Sequence, residues 1–488
     1  MSPPDRKTLE IPVAPGVFTE PWSLRKIRGL FAVFGPAAIV ASVSIGAGET
    51  IVVVRAGAWA GYDLLWLVLL AVIVKGVFVT YLLGRFTAVS GEPIGHRLVH
   101  MPGPRGWMPM LMIACEMIGA PLGWVAIGKP CGDLLHHLLR PDRLAGGDEV
   151  FWQNLFTTGL IVLALGLALR LSFEHLERQQ LLICIILVVG TTLGTLMVRP
   201  DLAAALAGAL NFGHLPEFPP WTPESVTEYP ALTMATTFGY VGGGVFIYIA
   251  YSNWVGLHGW GMAGHPRVAW IRKRALANRK IDFLPEGPAG VRRMRQLISP
   301  VRWDVGTGAI VLFVVTAAFM ISGAAVLYPL QSRFEGWALL TEQAHVWRVI
   351  HPALVWIYYV CIVAALWGTL QALPEIYARV IQEMLAAVRP EREWSYDRLK
   401  RVICLYIFVS ATLVIWLGIA FDTLTAIAGF ILANFAIFLI ALAALYLNRT
   451  LPACYRTHLI VEFGTWVAVL VLGASAVVSG HGLLVRFG

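Results

Sequence analysis

The sequence predicts an all-α, polytopic membrane protein with about eleven transmembrane helices. Three observations carry that expectation. Of the 488 residues, 58% are hydrophobic and only 14% charged, whereas soluble domains sit near roughly 45–50% apolar and about 25% charged. The apolar residues come in repeated long runs, and the mean hydropathy is +0.71. Each run approaches the roughly 20 residues that cross about 30 Å of hydrocarbon.

Taken in order, residues 1–29 are polar and Pro-rich (SPPDRKTLEIPVAPG) and are expected to form a cytoplasmic N-terminal tail, not a signal peptide, because no early apolar core is present. Spans are expected near 31–58, 63–85, 107–130, 154–171, 179–198, 231–255, 305–329, 352–378, 402–421, 423–447 and 459–484. With the N-terminus inside, most of the 37 Lys and Arg fall in cytoplasmic segments, as the positive-inside rule requires. That bias supports the count and places the chain in a cytoplasmic (inner) membrane. The densest basic run, IRKRALANRK in the 256–303 loop, is read as facing anionic lipid and not nucleic acid. The six cysteines form no CxxC pair, so no thiolate metal site is signalled. No HExxH, GxSxG or Walker motif appears; an enzyme is not expected and no cofactor is implied.

Two spans carry breaks. Residues 44–54 read SIGAGETIVVV, placing Gly46, Gly48 and Glu49 inside an apolar run too long for one straight crossing. Glycine costs about 1 kcal/mol in a helix interior, and a break there frees backbone groups that must line a cavity. The sixth span reads TFGYVGGGVF, with Gly239, Gly242, Gly243 and Gly244. Interrupted first and sixth spans suggest two inverted five-helix repeats, about 30–199 and 229–447, plus an extra helix at 459–484. They also suggest a secondary transporter with its site between the breaks. The alternatives are an unbroken first helix with Glu49 at its outer end, and a close helix contact at the glycine run.

Glu49 is the acidic residue of the breaks, and a charge at mid-bilayer costs at least about 2.5–3.5 kcal/mol. It is therefore the candidate metal ligand. Carbonyls near Ser44–Gly46 and Val241–Gly243 are candidate oxygen donors, with Gln371 and Asn434 completing the shell or bonding between helices. Oxygen-only donors suit Mg, Ca or Mn. The aromatics Phe246, Tyr248, Tyr251 and Trp254 leave open an organic cation or amino acid as solute. Lys75 and Glu116 are expected to pair across spans two and three, Glu375 and Arg379 at i and i+4 to pair or gate, and Arg55 to neutralise Glu49. Pro374 is expected to kink or end the apolar part of its helix. The segment LLTEQAHVWRVIHP is read as a cap on the outer vestibule or a surface helix.

The stretch GPAAIVASVSIGAGETIVVVRAGAWAGYDLLWLVL resembles the first spans of the Nramp divalent-metal transporters. Gly35-Pro36, Arg55-Ala56-Gly57 and Gly61-Tyr62-Asp63-Leu64-Leu65-Trp66 lie where that family has its GP, QAG and GYxLLW. The resemblance implies a LeuT-like fold and transport of a divalent cation by alternating access. The family's metal-binding DPGN falls on Gly46-Ala47-Gly48-Glu49. Its sixth-span methionine and histidine fall near Phe246 and Tyr248, and its second histidine near Asn253. Glu116 matches a family glutamate, while the acidic proton path falls near Gly123 and Ala126. The thioether ligand and the proton relay are thus not carried over.

Overall fold

The computed structural model describes residues 8–487 except positions 15, 19, 22, 34, 37–42, 44, 45, 47, 143–145, 147, 172, 278, 279, 332 and 335–337. Among the described residues every regular element is a helix. Ten are long and apolar enough to cross a membrane: Leu65–Ser90, Trp107–Leu139, Glu149–Ala168, Glu174–Met197, Pro230–Leu257, Pro288–Leu327, Leu354–Val388, Tyr396–Trp416, Phe421–Thr450 and Leu459–Phe487. These are spans two to eleven, and the chain is a multi-pass membrane protein. The first expected span lies partly outside the described residues, Ser44 among them. Its described part includes the end of a helix at Leu24–Val33 and a wide turn, Gly48–Val52, continuing as a helix over Val53–Ala60.

Span six is two helices, Pro230–Tyr240 and Val245–Leu257. Gly242 and Gly243, at φ 91° and 74°, turn the chain between them. Side chains rarely adopt that conformation, which is why glycine stands there. Span eight does not end at Pro374, one of the two outcomes expected there. It runs unbroken through Pro374 to Val388, because packing on both sides holds a proline that would end an isolated helix.

Wide, i→i+5 bonded turns occur at Gly48–Val52, Val72–Val79, Gly323–Leu327 and Gly429–Phe435. Such turns are rare and gather at functional sites. Three of the four carry a buried polar residue of the candidate set, namely Glu49, Lys75 and Asn434. Spans one and seven touch backbone to backbone. A Cβ on Gly57 would lie 2.2 Å from the Met320 carbonyl oxygen, and one on Gly323 2.4 Å from that of Val54, the small-residue contact that membrane helices use.

The basic 256–303 loop is folded. Helices Val268–Ala277 and Pro288–Leu297 flank a buried Phe283. The carbonyl of Phe283 accepts from the amide of Leu9, 2.7 Å away, which docks the N-terminal tail. Arg274 is held bidentate by Asp282 at 2.7 Å. The segment at Leu339–Ile350 is a helix that buries Leu339, Leu340, Gln343, Ala344 and Val346, so it packs on the bundle with one face.

Candidate functional site

The wide turn of span one meets the turn in span six. Glu49, fully buried, accepts a 2.7 Å hydrogen bond from the amide of Gly242 through Oε1. Its Oε2 has no protein partner. The Gly242 carbonyl is taken by the Tyr248 hydroxyl at 2.7 Å, and the Gly46 carbonyl by the amide and hydroxyl of Thr50 at 3.1 and 2.6 Å. Those two carbonyls, candidates for ligation, are therefore already occupied. The glycines serve approach instead: a Cβ on Gly48 would lie 2.6 Å from the Tyr240 carbonyl oxygen.

Beside this contact lies a cavity of about 90 Å³. Its walls include Gly46, Gly48, Gly243 and Gly244 from the breaks, Thr369 from span eight, and the aromatics Trp124, Tyr240 and Tyr377. Its carboxylate is Glu116, which is buried and leaves Oε2 without a partner. The buried hydroxyl of Tyr240 is also unpartnered. No sulfur lines this cavity among the described residues, and no group of three or more His, Cys, Asp or Glu forms a metal cluster among them.

The expected ion pairs are redrawn. Lys75 does not pair with Glu116. Its ammonium donates at 2.8 Å to the carbonyls of both Phe238 and Gly239, and its charge acts on Glu49. Arg55 does not neutralise Glu49 either. It reaches Asp422 at the start of span ten, 2.6 Å away, and stacks 4.3 Å from the Trp59 ring centre. Glu375 and Arg379 do meet, at 2.5 Å, and Lys400 joins at 2.9 Å with the Tyr396 hydroxyl also bonded. Gln371 accepts from Gln179 at 2.8 Å and is absent from the cavity wall. Asn434 donates to the Ala235 carbonyl and to Ser479 and accepts from Ser475, at 3.1, 2.8 and 2.9 Å. Its amide thus clamps spans six, ten and eleven.

Tyr240, Thr369, Asp422 and Asp304 had not been singled out in the sequence. Asp304 accepts from the amide of Gly35 and the hydroxyl of Tyr251, both at 3.1 Å. It ties the start of span one to the second half of span six. The signal for both acids was present, since each opens an apolar run near a helix end, but nothing in the sequence named their partners.

Two groups of side chains flank the cavity. Toward the loop before span ten stand Arg55, Trp59 and Asp422. Toward the basic loops, Phe246 meets Tyr377 edge-on at 5.9 Å. Beyond that pair a vestibule of about 730 Å³ opens between spans two, six and eight, lined by Asn253, Arg272, Arg379, Glu383 and Arg392.

The comparison of the sequence with curated proteins finds no match. Among solved structures, the Eremococcus coleocola manganese transporter in complex with an aromatic bis-isothiourea substituted compound superposes with a TM-score of 0.64. The two are 13% identical, over 100% of this chain and 92% of that one. Mhp1, a nucleobase-cation-symport-1 family transporter in a closed conformation with bromovinylhydantoin bound, gives a TM-score of 0.52. It is 12% identical, over 93% and 90%. The fold is therefore the LeuT-like one shared by these transporters. The model of the natural resistance-associated macrophage protein-like family matches residues 37–480, and the chain belongs to the Nramp family.

Proposed function

We propose that this protein carries a divalent metal cation across the cytoplasmic membrane by alternating access, with its N-terminus inside. One observation carries the reading. A buried carboxylate with a free oxygen, Glu116 Oε2, faces a small cavity where two helix breaks meet. Its volume, about 90 Å³, is far below the roughly 300–1,000 Å³ of pockets for drug-sized ligands, and suits a partly hydrated ion. The oxygens at hand, from Glu116, Thr369 and Tyr240, are hard donors, which favours Mg, Mn or Ca. Glu49 stands one layer behind, with Oε1 committed to Gly242.

The test is influx of Mg, Mn and Ca into dye-loaded proteoliposomes, with and without a pH gradient. Wild type is expected to carry at least one of them, and Glu116→Gln to lose about tenfold or more, as expected when a buried charge-assisted contact is lost. Absence of every divalent flux with folded wild type overturns the metal reading and points to an organic cation.

In this reading the half-helices of spans one and six move against the rest of the bundle, and the Arg55–Asp422 pair is the latch on the outer side. Asp422→Asn removes its charge. A cysteine introduced by Thr233→Cys, in the wall beside that pair, is then expected to react several-fold faster with an impermeant maleimide than in the wild-type background. An unchanged rate would remove the pair from gating.

A further inference from the structure

We propose that Lys75 is a tethered cation filling a monovalent-cation site built into the fold, so that loading the transporter needs no second free cation. The inference rests on the transporter reading above. Span six breaks after Tyr240, and the last carbonyls of a helix have no intrahelical partner and carry the negative end of its dipole. Two of these, on Phe238 and Gly239, receive the Lys75 ammonium at 2.8 Å each. The Phe238 ring lies 5.0 Å from Nζ, and Glu49 is near enough for its charge to act on Lys75. Carbonyl oxygens at the C-terminal end of a half-helix are donors that coordinate a monovalent ion in such folds; here they hold an amine on a side chain.

The delivery of that amine is also built. Span two widens over Val72–Val79, and the Lys75 carbonyl accepts from the amide and hydroxyl of Thr80, the latter at 2.8 Å. Lys75 is fully buried, as is Glu49, so water solvates neither group. Because the ammonium reaches from span two to the first half of span six, it links that half-helix to the scaffold. A free ion would make that link only when bound.

The experiment compares wild type with Lys75→Ala in proteoliposomes. The monovalent cation is either N-methylglucamine alone or includes Na, K, ammonium or methylammonium. Wild-type flux of the divalent ion is expected to be indifferent to these. Lys75→Ala is expected to fall about tenfold or more in N-methylglucamine and to recover with one of the small cations. Dependence of wild type on a small cation, full activity of Lys75→Ala without one, or no recovery with any, would each overturn the proposal.

Thermal unfolding of the purified proteins separates this from the metal reading, since it needs no substrate. Methylammonium or Na is expected to raise the midpoint of Lys75→Ala and leave wild type unmoved. That result in a protein without divalent flux would sink the metal reading and keep the tethered cation. The converse, flux in wild type with no stabilisation of the variant by any cation, would sink the tethered cation alone. If Lys75→Ala folds only when prepared in methylammonium, that is the same support. Failure to fold with any of the cations overturns it.

Discussion

Glu49→Ala is expected to destabilise the folded protein by about 1–3 kcal/mol, the cost of leaving a buried donor without its acceptor. The side chain does two things at once. It accepts the Gly242 amide at 2.7 Å and its charge acts on Lys75, both side chains being fully out of water. Truncation leaves an amide at the break without its acceptor and removes the negative group whose charge acts on the Lys75 ammonium. Adding Lys75→Met is expected to return part of the loss, because an apolar side chain of similar volume replaces the orphaned charge. The measurement is a double-mutant cycle on thermal or denaturant unfolding in a mild detergent. A coupling near zero would mean that the two side chains do not sense each other, which the cycle isolates directly. A small effect of Glu49→Ala alone would mean that water reaches the break. Mere loss of transport in this variant would not discriminate, since an unfolded transporter is also silent.

The fold was largely legible because apolar runs report spans regardless of their partners. Ten of the expected spans correspond to long apolar helices here, and the glycines at 242–244 marked the turn in span six. The connections were not legible. Lys75 and Glu116 sit mid-way along consecutive spans, and nearness in the chain suggested a pair. The carbonyls that Lys75 meets are 163 and 164 positions away, and a helix apolar on nearly every side gives no sign of which face looks inward. The same ambiguity affected Gln371 and Asn434. A polar residue on an apolar helix needs a partner in lipid, but its type does not say whether the partner is a neighbouring helix or a ligand. Pro374 failed as a stop signal for a related reason: local chemistry sets a preference that packing on all sides can override. Glu116 was visible as a charge, but its place at the cavity follows from Gly244, whose missing side chain leaves room 3.8 Å from Oε2.

Gly242→Ala is expected to bring transport down to the level of protein-free liposomes. Three constraints converge on that residue. Its φ is 91°, a region where an L side chain costs roughly 1–2 kcal/mol. A Cβ there would lie 2.4 Å from the Tyr248 hydroxyl oxygen, which sits in a fully buried ring and has no room to retreat. Its amide and carbonyl are both in use, by Glu49 and Tyr248 at 2.7 Å each. Displacing the backbone therefore uncouples the break in span six from span one and opens the wall of the central cavity. Combining Gly242→Ala with Tyr248→Phe separates the causes. If the clash dominates, the double variant recovers flux, since the phenyl ring keeps the packing and removes the blocking oxygen. If the backbone conformation dominates, it stays silent. Normal flux in Gly242→Ala would mean that the turn is not held rigid during the cycle. The half-helices would then have to move without the Glu49–Gly242 bond, and the transported ion would have to be held by the Glu116 wall alone.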